Sequence, residues 1–212
     1  METYQLVGKV RNMRILLATS NDHKLTEVRE ILEPLGVEVD GLDSIEATYE
    51  EPIEDADTFE GNAKLKAVGY AKATGIRCMA DDSGLSVDAL DGRPGVYSAR
   101  FAGKGDTREE RDQENNALLM QQLQDVPANE RTARFVCAIC VADPDGTIIA
   151  ESTGTFDGII GFIPRGENGF GYDPLLFVPS ANKTSAEMSP KEKNAQSHRG
   201  NAVRKISSMM LQ

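Results

Sequence analysis

Nowhere in its 212 residues does this chain carry an apolar run of membrane-spanning length. Residues 1–12 also lack the apolar core of a signal peptide, and both absences point to the cytoplasm. Cysteine is scarce: three, an odd number, supply no disulfide framework in such a chain. Positive charge is in deficit, with 23 Lys and Arg against 34 Asp and Glu and a net charge of −11. That balance excludes general affinity for nucleic acid polymers, whose phosphates require a basic surface. It leaves room for one small polyanion, held by a local group of Lys, Arg and backbone N–H with help from a divalent cation. No internal repeat, low-complexity tract or linker breaks the chain, and its length fits one domain or one domain with two lobes.

Hydrophobic periodicity places the elements. Met13 to Thr19 reads as a buried strand. Leu25, Val28, Leu32 and Leu35 recur at helical spacing up to Gly36, and Val37 to Val39 forms a short strand. Glu46 to Asp57 is acidic and loop-like. Thr58 caps a helix carrying Phe59, Ala63, Ala67 and Tyr70, which ends at Gly75. The next strand, Ile76 to Asp81, is expected to end at a bend supplied by Ser83 and Gly84. Thr107 and Glu110 form a capping box before a helix to about Leu123. Ala133 to Asp143 and Thr147 to Phe156 read as a hairpin around Pro144-Asp145-Gly146. A Gly-rich loop follows from Gly161 to Tyr172, then a strand tip at Pro174 to Val178. Ser189, Pro190 and Glu192 open the helical C-terminus, which runs to about Leu211. Interleaved strands and helices with one late hairpin predict an α/β fold, a mixed central sheet flanked by helices.

Five segments could carry chemistry. Thr19-Ser20-Asn21-Asp22-His23-Lys24 joins a strand to a helix, where free N–H groups and the helix dipole favour an anion. It is not a P-loop, and simple capping by Ser20 or Asn21 with Lys24 in solvent is the alternative. Asn62 and Lys66 lie one helical turn apart on one face. Asp81-Asp82-Ser83-Gly84 places two acids at a strand tip, where the competing reading is a solvated acidic turn. Adjacent strand residues face opposite sides, so both acids could meet one ligand only if the chain bends there. Gly169-Phe170-Gly171-Tyr172-Asp173 lets the backbone approach a flat ligand on Phe170, unless it merely tucks the ring into the core. Lys193 with Ser197-His198-Arg199 supplies donors for an oxo group or phosphate from a polar break between two helices. Cys137 and Cys140 are discounted as a metal or redox pair, because positions three apart on a strand face opposite sides. Met209 and Met210 read as core packing.

These segments, with Pro94-Gly95-Val96-Tyr97-Ser98-Ala99-Arg100, strongly resemble in their order the inosine triphosphate pyrophosphatase (Ham1) family. The resemblance runs from Met13 to about Leu211. It implies an elongated, two-lobed domain over residues 13–212 with a nucleotide cleft, a homodimer, and Mg²⁺-dependent hydrolysis of ITP, dITP and XTP to the monophosphate and pyrophosphate. This activity cleanses the nucleotide pool of noncanonical purines. The resemblance further implies that Thr19 to Lys24 hold phosphates and that Lys66 lies near them. It makes Asp82 the general base and a metal ligand, with Asp81 and Glu54 also at the metal. Ser83, Phe170, Gly171, Tyr172, Asp173, Lys193, His198 and Arg199 become substrate contacts. Residues 1–12 precede the family's first strand and read either as a disordered tail or as sequence before an alternative start at Met13.

The chemistry of the base agrees with this resemblance. Hypoxanthine and xanthine carry a 6-oxo acceptor where adenine has an amino donor, so donors from His198 and Arg199 would reject adenine. Guanine also carries the oxo group, and the Phe170–Asp173 loop is the candidate for disfavouring its 2-amino group. Two other functions fit less of the chain. A Maf-like pyrophosphatase for modified pyrimidine nucleotides would lack the His198-Arg199 pair, and a non-catalytic nucleotide sensor would have no need of Glu54, Asp81 and Asp82.

Overall fold

A computed structural model describes residues 13–45 and 50–211; the prefix 1–12 and the opening of the acidic loop at 46–49 lie outside the described residues. Strand β1 (Met13–Leu17) leads into helix α1 (Asp22–Leu32), whose Asn21 cap accepts from the His23 N–H. Pro34 cannot continue an α-helix, so the chain tightens into a 3-10 turn closed by Gly36 at φ 81°. Strand β2 (Val37–Gly41) then pairs parallel to β1. Helix α2 (Phe59–Thr74) begins at the Thr58 cap and stops at Gly75, as the pattern predicts. Helix α3 (Arg108–Gln122) opens with the expected capping box of Thr107 and Glu110. Strands β4 (Thr132–Ala142) and β5 (Ile148–Ile160) form the predicted hairpin. The C-terminus holds β6 (Leu176–Val178), an unforeseen short β7 (Lys183–Thr184), α4 (Pro190–Gln196) and α5 (His198–Met210).

The strand between α2 and the β4–β5 hairpin corrects the sequence reading. Strand β3 spans Cys78–Val87 and does not end at Asp81. It runs straight through Asp82, Ser83 and Gly84, which pair with Ala138, Cys137 and Val136 of the longer β4. Gly84 is therefore no turn residue. A Cβ there would sit 2.3 Å from the Ser98 Oγ and 2.7 Å from the Gly95 carbonyl, so glycine admits the 3-10 segment Gly95–Arg100 against the strand. The sheet order is β2-β1-β3-β4-β5-β6-β7, parallel at β2-β1-β3 and antiparallel beyond.

Helices cover both faces. On one, α1 and α5 bury Leu25, Val28, Leu32, Val203 and Ile206 against Ile15, Leu17, Met79 and Ile139. On the other, α2 packs through Ala63, Ala67, Tyr70 and Ala71 onto Ala80, Ala138 and Cys140. These small residues bring the helix close to the sheet, which lets Asn62 and Lys66 reach β3. A third cluster joins α3 and the Gly-rich loop to the far ends of β3, β4 and β5 through Leu85, Leu119, Phe135, Phe156 and Tyr172. Cys137 and Cys140 fall in opposite clusters and are free and buried, as strand alternation requires. Met210 packs against the core, but Met209 is exposed, contrary to expectation.

Helix α5 is held on β5 at one tight point. The Ser152 Oγ donates to the Ala202 carbonyl at 2.9 Å and the Asn201 Nδ2 to the Thr155 carbonyl at 3.0 Å. Between them a Cβ on Gly154 would meet the His198 carbonyl oxygen at 2.2 Å and the Ala202 nitrogen at 2.6 Å. Both are backbone atoms and cannot yield locally. Gly154→Ala is expected to push the start of α5 off the sheet and lower stability by about 2–3 kcal/mol, measured as a reduced midpoint in urea unfolding.

Candidate active site

The three clusters leave a cavity of about 570 Å³ where β1 stops and β3 continues. The Ala18 N–H still donates to the Met79 carbonyl at 2.8 Å, while the Leu85 and Val87 N–H groups donate to the Ser98 Oγ and the Arg93 carbonyl. Backbone groups alternate sides along a strand. The main-chain groups of Asp81 and Ser83 therefore face the same edge, where among the described residues no strand lies beside them.

On that edge the two acids point apart, as an unbent strand requires. Asp81 is 2% exposed and sits on the α1/α5 side. The Lys24 ammonium lies 2.9 Å from its Oδ2, the Arg199 guanidinium donates to the same oxygen at 3.2 and 3.3 Å, and the Cys137 thiol approaches at 3.7 Å. Burial alone would raise its pKa. Lys24, Arg199 and Lys66 overcome that, and hold the carboxyl well below the usual carboxylate range. Asp82 faces α2. It accepts from the Asn62 Nδ2 at 3.3 Å and the Lys66 Nζ at 3.3 Å. Here burial outweighs Lys66, Lys24 and Asn62, and the pKa is raised. Neighbouring carboxylates with opposite shifts have separable tasks: Asp81 is a fixed anion, and Asp82 is the more basic group.

The expected segments converge on these acids. Thr19, Ser20, Asn21 and Lys24 line the cavity, with Asn21 also capping α1 and Lys24 paired to Asp81 instead of solvated. Asp22 is exposed and does not line the cavity. His23 turns to the Gly-rich loop, its ring stacked on Phe170 at 5.6 Å between centroids. The Lys66 Nζ also lies 2.8 Å from the Glu54 Oε2, so a cation already bridges Glu54 and Asp82. Among the described residues no ready-made cluster of three metal-ligating side chains exists. Two carboxylates around one cation position nevertheless fit a magnesium-type ion, which usually takes one or two carboxylates and completes its shell with water and substrate phosphates. Asp81, whose oxygens meet Lys24, Arg199 and Cys137, fits that role less well.

The Gly-rich loop is shaped around Asp173. Its Oδ2 accepts from the Phe170 N–H at 2.8 Å and the Lys193 Nζ at 2.6 Å, and its Oδ1 from the Ser185 Oγ at 2.7 Å. Gly169 has φ 79°, and a Cβ there would lie 2.1 Å from that carboxylate, so only glycine fits. Tyr172 is buried and donates through its hydroxyl to the Ser98 carbonyl at 2.8 Å.

Ser197 breaks the C-terminal helices, its side chain capping α5 through the Gly200 N–H at 3.0 Å. His198 is buried, stacked on Phe135 at 5.0 Å, and among the described residues its Nδ1 has no hydrogen-bond partner. Burial, reinforced by Arg199 and Lys193, lowers its pKa well below the ordinary value, so the imidazole is neutral. Arg199 is 1% exposed and also donates to the Ser83 Oγ at 2.9 Å and to Glu27. Burial opposes its charge, but Asp81 and Glu27 outweigh that and raise its pKa.

Glu27 is a residue that sequence reasoning missed. It pairs with Arg199 and lies 3.8 Å from Lys193, tying the Gly-rich loop to the α5 start. In sequence it follows Lys24 by three helical positions, which reads as an ordinary surface pair.

Two predictions follow from these contacts. The Lys66 charge lowers the Asp82 pKa, and a base works deprotonated. Lys66→Met should therefore move the acid limb of the kcat/KM–pH profile to higher pH, as read from profiles of the two proteins. Glu27→Gln keeps the hydrogen bonding but removes the charge facing Arg199 and Lys193. It should lower unfolding stability by about 1–3 kcal/mol and raise KM more than it lowers kcat, checked by urea titration and steady-state kinetics.

Known proteins show the same arrangement of sequence and fold. A model of the Ham1 family matches residues 15–209. A dITP/XTP pyrophosphatase from an Exiguobacterium strain is 50% identical over 200 residues, covering 94% of this chain and 97% of its own. A dITP/XTP pyrophosphatase from Thermus thermophilus is 46% identical over 197 residues, 93% of this chain and 91% of its own. The solved HAM1 protein of Coxiella burnetii superposes with a TM-score of 0.82 at 38% identity, over 94% of this chain and 98% of that one.

Proposed function

The chain belongs to the Ham1 family, and from that premise we propose that it hydrolyses ITP, dITP and XTP to the nucleoside monophosphate and pyrophosphate. The observation that carries this reading is Asp82: a carboxylate of raised pKa on a cleft that also presents Lys24, Lys66, Lys193 and Arg199. A triphosphate brings about four negative charges, and such a cleft with a divalent cation can accept them.

The phosphates lie along the turn Thr19–Lys24, where the N-terminal N–H groups of α1 and the Lys24 charge favour anions. Asp82 takes a proton from the attacking water, and Lys66 stabilises charge on the phosphoryl oxygens. Glu54 and Asp82 would hold Mg²⁺, which when bound polarises the phosphate and lowers the pKa of its water. The bond from phosphorus to the pyrophosphate leaving oxygen breaks as the bond to the water oxygen forms. The Nδ1 of neutral His198, unpartnered among the described residues, donates to the 6-oxo group in the tautomer that carries its proton there, with Arg199 fixed beside it. Adenine would set its amino donors against these donors. The Asp173 carboxylate already accepts from Phe170, Ser185 and Lys193, so it is committed to the loop and does not stand ready for the 2-amino group of guanine.

The unit that acts is residues 13–212, cytoplasmic and homodimeric. Among the described residues no helix is long and apolar enough to cross a membrane. Exposed Phe162 and Ile163 after β5 provide apolar surface for a second subunit. A pyrophosphate-release assay with Mg²⁺ across ITP, dITP, XTP, GTP, ATP and dTTP tests the reading. The first three should be turned over well above the others, and a preference for dTTP or no turnover would overturn it. Asp82→Asn should lower kcat by at least ~10²-fold with an unchanged circular dichroism spectrum.

A further inference from the structure

Among the described residues Lys24, Lys66, Lys193 and Arg199 are each paired to a carboxylate, but the cavity has a second basic wall whose arginines have no ion-pair partner. Arg108, at the exposed start of α3, is the member placed for chemistry. Its guanidinium carbon lies 4.6 Å from the Phe170 ring centroid. Among the described residues it has no hydrogen-bond partner either.

The placement is built, because Arg108, Asp112 and Asn116 stand four residues apart on one face of α3. Asp112 accepts from the Gly171 N–H at 2.9 Å, and the Asn116 Nδ2 donates to the Gly171 carbonyl at 2.9 Å. Both halves of the Gly171 peptide environment are thus tied to the helix, which fixes the Phe170 ring against the α3 start. Phe170 also meets His23 from α1, and the Lys193 ammonium lies 5.1 Å from its ring centroid. A base that stacks on Phe170 must separate the ring from one of these three neighbours. Lys193 is held by Asp173 and Glu27, and His23 is a short side chain on the first turn of α1; Arg108 is the one that can lift, a long side chain with no other contact to break among the described residues.

We propose that Arg108 is a base-clamping residue: a purine enters between its guanidinium and the Phe170 ring and is held in a sandwich. This rests on the nucleotide reading above and names a specificity residue within it. A planar guanidinium stacks on a heterocycle while keeping its charge in water. The clamp grips the base and not the phosphates.

The test uses the intact enzyme and three ligands. Arg108→Ala should raise KM for ITP about 5- to 10-fold with kcat within about twofold, and weaken inosine by the same factor in calorimetry. Inorganic tripolyphosphate should inhibit both proteins equally. Arg108→Lys keeps the charge without the plane and should recover little of the loss. An unchanged inosine affinity, or a loss confined to tripolyphosphate, would overturn the clamp in favour of a phosphate contact or no role. Arg108 is exposed, and thermal unfolding of the variants checks that the fold is kept. If the wild type turns over ITP while inosine affinity ignores Arg108, the clamp alone fails. A wild type that neither binds inosine nor turns over ITP sinks the nucleotide reading and the clamp together.

Discussion

Asp81 and Arg199 form the contact on which the rest of the site depends. Both are nearly fully buried, and each offsets part of the cost of burying the other's charge. From this pair the signs alternate outward: Lys24 on Asp81, Glu27 on Arg199, Lys193 on Glu27 and Asp173 on Lys193. The series crosses α1, β3, α5, α4 and the Gly-rich loop. Phosphate turn and base loop lie at its two ends, so their spacing is set by one run of ion pairs through the interior. Asp82 escapes this run only because the next residue of a strand faces the other way. It meets a lysine and an amide on α2 and keeps a raised pKa, whereas its neighbour is locked as an anion.

Much of this was legible because it is local. The caps at Thr58, Thr107, Ser189 and Ser197, the glycine stops at Gly36 and Gly75, and the Asn62–Lys66 spacing are each decided within one or two helical turns. The course of β3 was not. Ser83-Gly84 has turn composition, and only a partner more than fifty positions away, together with the segment at Gly95, keeps the strand straight. Glu27 and Arg108 were missed for the same reason. A glutamate and an arginine on polar helix turns look solvated until the opposing Arg199 and Phe170 are in view.

The α2 helix shows how packing serves chemistry. Its interface with the sheet is largely alanine, so the helix lies low and its short and long polar side chains both reach β3. A larger residue at Ala63 or Ala67 would lift Asn62 and Lys66 away from Asp82 without touching either. The positions that tune this carboxylate therefore include apolar ones that no chemical motif would mark.

The bare edge of β3 beside the cleft has a further consequence. Its Asp81 and Ser83 peptide groups belong to the main chain, and side-chain replacement leaves a carbonyl in place and, proline aside, an N–H as well. Whatever these groups hold is recognised by a feature that mutation can barely edit. Divergence in ligand preference must then proceed through the side chains opposite, while this rim of the cleft stays chemically constant for as long as the strand pairs with β4.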